Sequence, residues 1–219
     1  MKGCESACHC DATARKFDRA EAEADLARLN RQGPDLPTQL MIDAIRRHPL
    51  PANPSLLDIG GGVGILHHVL LDEGFASAVQ VDISEAYLTV AAAEARRRGH
   101  EGRLTLTRGD YRTAASSTAA ADVVTLDRVV CCDPDYAGLL EVAAAHARHL
   151  LSLSYPRDCW YNRLVVGARN AWRRARRDAF RTFVHSPTAM AGVLEGQGLR
   201  RCWSGGTRLW SVDLYQRAA

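Results

Sequence analysis

The sequence predicts an α/β domain, a doubly wound parallel sheet that closes with an antiparallel hairpin and carries helices on its N-terminal side. Three observations carry this reading. Five short apolar runs alternate with stretches of helical spacing from residue 55 onward, a glycine loop follows the first run, and a glycine pair separates two strand-like runs near the end. Buried strands separated by crossovers of helical length imply a sheet covered on both faces.

Taken in order, the first 30 residues alternate acidic, basic and Ala positions, which reads as a solvated helix with a narrow stripe of Phe17, Leu26 and Leu29. It stops at Gly33-Pro34. A second helix is predicted from Thr38 through Leu40, Met41, Ala44 and Ile45, ending before Pro49 and Pro51. Residues 1–50 are therefore expected to form a tail and helical lid, and 51–219 the core. The apolar runs are Ser55 to Ile59, Ala78 to Val81, Leu104 to Thr107, Asp122 to Leu126 and His149 to Ser154. Helical spacing recurs at Val63, Leu66, Val69 and Leu70, and again at Tyr87, Leu88, Ala91 and Ala95. Residues 156–198 interrupt the strand rhythm with two helical stretches, Asp158 to Arg177 and Ser186 to Gly196, read as an inserted basic cap. Arg200 to Ser204 and Arg208 to Tyr215 then form a hairpin about Gly205-Gly206.

The chain of 219 residues is long enough to bury a core without disulfides or a metal. No run approaches the roughly 18 apolar residues of a membrane span, and the start lacks the apolar stretch of a signal peptide, so a cytoplasmic protein is expected. Seven cysteines, with Cys131 and Cys132 adjacent in an apolar run, argue for reduced thiols. That pair reads as small buried hydrophobes. Cys4, Cys8, His9 and Cys10 have zinc-ligand chemistry, but consecutive ligands would strain a tetrahedral site, so no metal is expected. The net charge of +3 conceals a split: residues 1–155 carry 16 basic and 21 acidic side chains, net −5, and residues 156–219 carry 12 and 4, net +8.

The glycine loop is the most informative segment. Leu56-Leu57-Asp58-Ile59-Gly60-Gly61-Gly62-Val63-Gly64 runs from a buried strand through glycines into a helix, where the backbone can approach a ligand closely. The dinucleotide spacing fails, because the sixth position from Gly60 is Ile65. The following strand ends in Val81-Asp82, where an acid can bond ribose hydroxyls. Ribose without a pyrophosphate clamp suits a nucleoside.

Here the chain resembles the class I S-adenosylmethionine-dependent methyltransferases. The likeness rests on Leu56 to Gly64, Val79 to Asp82, Thr107-Arg108-Gly109-Asp110-Tyr111 and Ala121 to Leu126, and covers roughly residues 50 to 155. The segment Leu126-Asp127-Arg128-Val129-Val130-Cys131-Cys132-Asp133-Pro134-Asp135-Tyr136 is similar to that of a bacterial subgroup whose substrates are mostly unassigned. The resemblance implies a Rossmann-like seven-stranded sheet and S-adenosylmethionine as cosubstrate. It implies backbone contacts to the methionine part from Gly60, Gly62 and Gly64, with Asp58 near the amino acid end. Asp82 would accept from both ribose hydroxyls, and Asp110 from the adenine amino group, with Tyr111 and Ile83 packing near the ring. Capping of adjacent helices is the alternative for Asp58 and Asp110.

The acceptor is expected beyond the carboxyl ends of the strands, which points to Asp127, Arg128, Tyr155 and Arg157. Asp127 is a candidate base or orienter, with a strand-end cap as the alternative, and His185 is a candidate base or a surface helix cap. His67 and His68 read as packing or solvent histidines. The arginines from Arg163 to Arg181 read first as a solvated cap over the acceptor site; attraction of an anionic acceptor or transient contact with a lipid surface is the sharper reading. No nucleic-acid motif accompanies the charge. The function expected is O-methylation of a small molecule without a catalytic metal. The competing readings are a non-catalytic module that binds the cosubstrate and a nicotinamide-dependent reductase, the latter disfavoured because both lysines, Lys2 and Lys16, lie in the N-terminal tail.

Overall fold

The structure is a computed structural model that describes residues 11–218; the Cys4, Cys8, His9 and Cys10 group lies outside the described residues. The strands are β1 Ser55–Ile59, β2 Ser77–Asp82, β3 Leu104–Arg108, β4 Ala121–Asp127, β5 Ala147–Pro156, β6 Leu199–Gly206 and β7 Trp210–Arg217. They form one sheet in the order β3-β2-β1-β4-β5-β7-β6. β1 to β5 run parallel, and β7 is antiparallel to both β5 and β6.

A short helical segment at residues 11–16 precedes α1, Arg19–Gln32, and α2, Leu36–Arg46. The later helices are α3 Ile65–Asp72, α4 Glu85–Arg98, the single turn α5 Tyr111–Ala114, α6 Tyr136–His146, α7 Trp160–Ala175 and α8 Pro187–Gly196. Their starts follow local chemistry: the side chains of Asp18, Asp35, Ser84 and Ser186 each accept the backbone N–H three residues on.

Strand parity builds the two core layers. Leu57, Ile59, Val124, Leu126, Leu151 and Leu153 face α6 and α8, where Leu139, Leu140, Met190 and Leu194 are buried. The alternating Leu56, Val123 and Leu150 face α2 and α3, against Met41, Ile42, Ile45, Leu66 and Leu70. A smaller cluster of Ala22, Leu29, Val63, Tyr87 and Val90 joins α1 to α4 and brings the N-terminal helices over the carboxyl ends of the strands.

The predicted hairpin forms, but its turn lies elsewhere. Gly205 and Gly206 are inside β6, and residues 207–209 make the connection, with Thr207 N–H donating to Trp210 O at 2.8 Å. The Thr207 hydroxyl accepts from the N–H groups of Leu209 and Trp210, which shapes the loop. The glycines serve packing: a Cβ on Gly205 would lie 2.4 Å from the Trp203 ring, and one on Gly206 2.3 Å from Trp210 O. Among the described residues no helix is long and apolar enough to cross a membrane.

Candidate active site

The sheet order reverses between β1 and β4, and a crevice opens at the carboxyl ends of these strands. A cavity of about 300 Å³ occupies it. Its floor is the loop Ile59 to Val63; one side carries Asp82, Ile83, Tyr87, Asp110 and Tyr111, and the other Asp127, Arg128, Cys132 and Asp133. The N-terminal helices roof it with Thr13, Phe17, Asp25, Arg28, Leu29, Asp35 and Thr38.

Loop geometry depends on positive φ at Gly60 (63°) and Gly62 (59°). The Gly60 N–H donates to Val81 O at 2.7 Å, tying the loop to β2. Asp82 then fixes the far side of the loop: its Oδ2 accepts from Gly62 N–H at 3.1 Å and its Oδ1 from Ser84 N–H at 2.8 Å. Burial pushes the Asp82 carboxyl upward, against the two N–H bonds that favour its charge. Each oxygen keeps a further acceptor position.

Asp58 lines the cavity from beneath the loop, 1% exposed, with both oxygens already engaged. Oδ1 accepts from the Thr125 hydroxyl at 2.8 Å, and Oδ2 lies 3.1 Å from His67 Nδ1. A Cβ on Gly61 would sit 2.4 Å from Asp58 Oδ2, so the loop rests directly on this carboxylate. Gly64 does not line the cavity. It starts α3 at φ 86°, and a Cβ there would lie 2.3 Å from His67 Nε2. His67 and His68 are fully buried, as packing residues. They continue a polar chain outward, since His68 Nδ1 lies 3.0 Å from His100 Nδ1 and His100 Nε2 lies 2.8 Å from Asp72 Oδ1.

Asp110 caps the α5 turn, accepting from Arg112 N–H at 3.0 Å, and pairs with the Arg112 guanidinium at 3.1 Å. It is thus both a cap and a wall residue. Tyr111 is 4% exposed with its hydroxyl buried and unpartnered among the described residues, and burial holds its pKa above the usual tyrosine value.

Asp127 ends β4 between two hydroxyls: Ser154 Oγ donates to Oδ1 and Thr38 Oγ1 to Oδ2, each at 2.5 Å. Burial raises its pKa, opposed chiefly by the Arg128 charge. The Thr38 hydroxyl also lies 3.0 Å from Asp35 Oδ1, so one proton serves two carboxylates across the cleft. Arg128, at φ 61°, directs its backbone N–H to Ser154 Oγ at 2.9 Å and its guanidinium to Asp35. Burial pulls the Asp35 carboxyl upward, but bonding and charge from Arg128 with the Thr38 bonds outweigh it, and its pKa is lowered. Arg128 Nε is buried without a hydrogen bond among the described residues, 3.8 Å from Asp127 Oδ1.

Besides Gly64, three predicted site residues do not line the cavity. Tyr155 is 3% exposed in the core, its hydroxyl donating to Asp213 Oδ2 at 2.6 Å. Strand alternation turns it away, and its neighbour Ser154 faces Asp127 instead. Arg157 is exposed beside the hairpin turn, with Nη1 3.4 Å from Thr207 O. His185 places Nε2 3.0 Å from both Val130 O and Asp133 O, clamping the turn after β4, and burial lowers its pKa. No residue of the 156–198 segment lines the cavity; it touches the lining through His185 at Asp133 O and through Phe180, which packs edge-on to Phe17 with ring centroids 5.8 Å apart.

The roof residues Asp25, Arg28, Asp35 and Thr38 carry no signal in the sequence beyond the N-cap pattern at Asp35. Cys131 is buried as expected, whereas Cys132 is half-buried and lines the cavity.

The cavity thus sits at the point where the sheet order reverses, and residues 56–150 match a family model for a methyltransferase domain. This segment is a methyltransferase domain. No curated protein matches the chain. Among solved structures, the magnesium protoporphyrin IX methyltransferase from Synechocystis PCC 6803, with bound S-adenosylmethionine, is similar at TM-score 0.62 and 20% identity, over 82% of this chain and 79% of that one. An O-methyltransferase family protein from Burkholderia thailandensis is similar at TM-score 0.68 and 18% identity, over 93% of this chain and 62% of that one. The [4+2]-cyclase SpnF is similar at TM-score 0.62 and 12% identity, over 83% of this chain and 82% of that one. At these identities the likeness is one of fold.

Within this family's frame, the cavity residues fit the cosubstrate. Asp82 offers unspent acceptor positions at the end of β2, and the Tyr111 hydroxyl lacks a partner on the same side. Seven carboxylates line the wall, Asp25, Asp35, Asp58, Asp82, Asp110, Asp127 and Asp133, against three arginines, Arg28, Arg112 and Arg128. Such an excess suits a ligand bearing a sulfonium and an ammonium.

Proposed function

We propose that the chain transfers the methyl group of S-adenosylmethionine to an oxygen of a small molecule that is neutral or cationic. The observation that carries this is the acidic wall of one continuous cavity, which reaches past Asp127 to Arg28, Asp35 and Cys132. That extension leaves room for an acceptor, as a non-catalytic binding module would not require. The charge of the wall replaces the anionic acceptor expected from the C-terminal arginines, none of which reaches the cavity from the 156–198 segment.

The bound cosubstrate supplies a methyl carbon on a sulfonium, open to in-line displacement in which the acceptor oxygen bonds to carbon as the carbon–sulfur bond breaks. The chain's task is alignment. In this reading Gly60 and Gly62 present backbone to the methionine part, Asp82 accepts from the ribose hydroxyls, and Asp110, Tyr111 and Ile83 hold the adenine. Asp58 acts from below, as a positioning residue for the loop. Asp127 orients the acceptor hydroxyl and receives its proton, assisted by a pKa already raised by burial. In this reading the N-terminal helices up to residue 50 form the lid of the site, and the segment from residue 51 onward the catalytic core.

A nitrogen acceptor is the second reading, favoured by the carboxylate excess that would draw an ammonium group. Incubation with methyl-labelled S-adenosylmethionine and metabolite pools separated by charge tests both. Label is expected in the neutral or cationic pool as an O-methyl group, and an N-methyl group identified in the labelled product by NMR would move the reading to nitrogen. Label confined to the anionic pool would overturn it.

A further inference from the structure

Helix α7 is oriented against the usual rule for a surface helix, which buries its apolar stripe. Its polar side holds it to the body. Asn162, 7% exposed, donates to Arg157 O at 2.8 Å and to Leu209 O at 2.9 Å. Two turns on, Asn170 donates to Thr182 O at 2.7 Å, and Arg173 reaches the Thr182 hydroxyl at 3.0 Å. The opposite side carries Trp160, Leu164, Ala168, Ala171, Trp172 and Ala175, all exposed to solvent. Trp160 is 77% exposed, Leu164 65% and Trp172 57%. Of the six large apolar side chains exposed among the described residues, Trp160, Leu164, Val165 and Trp172 lie on this helix, and Leu209 lies on the turn bonded to its first residues. Only Leu36 lies elsewhere.

The charge around this face has one sign. Residues 159–177 contain six arginines and no acidic residue. Of these arginines, only Arg163 pairs with a carboxylate among the described residues, Asp158 at 2.6 Å. Arg169 and Arg174 stand to either side of the apolar stripe, Arg177 follows the helix end, and Arg176 lies 4.2 Å over the Trp172 ring. A second copy of the chain would set unpaired arginines against unpaired arginines. An anionic bilayer surface complements both features, taking the tryptophans and Leu164 below the headgroups and pairing the arginines with phosphates and carboxylates.

We infer that α7 with the 207–209 turn is a membrane-surface docking face, lying in the plane of an anionic lipid bilayer. The helix is 16 residues long, about 24 Å, so it rests on the surface and does not span it.

The test is co-sedimentation of the full chain with vesicles of phosphatidylcholine mixed with phosphatidylserine, against phosphatidylcholine alone. Binding is expected to the mixed vesicles, with a blue shift of tryptophan fluorescence. Trp160→Ser with Trp172→Ser should weaken it at least about tenfold. Arg169→Gln, Arg174→Gln and Arg177→Gln together should weaken it about a hundredfold, towards the level on neutral vesicles. All these positions are exposed and outside the cavity, so each variant should keep its unfolding midpoint and its affinity for S-adenosylhomocysteine. Failure to sediment with mixed vesicles, or binding that neither variant weakens, would overturn the inference. So would a dimer in solution that the tryptophan variant dissociates.

Discussion

Replacing Asp82 with Asn separates binding from stability, because the two effects have opposite signs. The native carboxylate accepts Gly62 N–H and Ser84 N–H through different oxygens and retains one acceptor position on each for the ribose hydroxyls. Asn keeps the shape but only one acceptor oxygen. One backbone N–H then faces an amide N–H₂, and one ribose hydroxyl loses a charged acceptor. A hydrogen bond to a charged group contributes about 1.5–3 kcal/mol, so the affinity for S-adenosylhomocysteine should fall roughly ten- to 150-fold. Stability behaves otherwise. The folded pKa of Asp82 is raised by burial, so near neutral pH its ionised form opposes folding relative to the unfolded chain. Removing the charge relieves that cost and offsets the lost N–H bond, and the urea midpoint should change little or rise. Titration calorimetry with S-adenosylhomocysteine and urea unfolding of the same preparations are the assays. Affinity within about twofold of the parent would refute the placement of the ribose on Asp82. A large loss of stability with a parallel loss of binding would show the carboxylate to be only a loop brace.

Gly64→Ala joins a positive φ, costing about 1–2 kcal/mol, to overpacking against His67 of similar size, so urea unfolding should show a loss of about 3 kcal/mol. His67→Ala in the same chain should recover the overpacking part; a loss under about 1 kcal/mol for Gly64→Ala alone would contradict the contact. Asp127→Asn should lower kcat about 10²- to 10⁴-fold with the S-adenosylhomocysteine affinity unchanged, while the parent rate rises with pH through the raised Asp127 pKa; an unaltered kcat would make Asp127 a strand-end cap. Burial, with the charges of His67, Arg98 and His100, lowers the His68 pKa to about 3. From the unfolded value of about 6.5 downward, folding therefore loses stability, about 2 kcal/mol by about pH 5, and urea unfolding at the two pH values should show it. Greater stability at the acid value would refute the neutral burial of His68. Of the adjacent thiols, bonding from Cys131 lowers the Cys132 pKa, while the same contact and burial raise that of Cys131. Iodoacetamide should thus modify Cys132 first, more slowly with S-adenosylhomocysteine bound, as peptide mapping would show.

Much of the fold was legible because buried strands and helix caps are local signals. The run Ser55 to Ile59 is β1 residue for residue, and Val81-Asp82 ends β2 as read. Gly60, Gly62, Asp82, Ile83, Asp110, Tyr111, Asp127 and Arg128 all line one cavity, since motif order along the strands places them at the same sheet edge. Gly64 failed that rule for a local reason, as its missing Cβ makes room for His67. The hairpin was legible in kind but not in detail, because Gly205-Gly206 has two uses, a turn or close packing, and Trp203 decides between them.

The acceptor side was harder to read, and β5 shows why. Chain order brings the end of this strand next to Asp127, but period-two alternation allows only every second residue to face it. Ser154 faces Asp127, Tyr155 turns to Asp213 on the other side, and Arg157 has already left the strand. The same distinction between proximity in chain and direction in space separates the two charge systems. The arginines of α7 follow β5 directly, yet Asn162, Asn170 and Arg173 anchor that helix by its polar side and leave its other arginines at the outer surface. The cavity takes its charge from aspartates at strand ends and helix starts, seven against three arginines. A cationic cosubstrate and an anionic bilayer therefore need not compete for one surface. Raising salt should weaken vesicle binding steeply through the exposed arginines, and should affect S-adenosylhomocysteine binding less, because buried carboxylates are screened less than exposed charges.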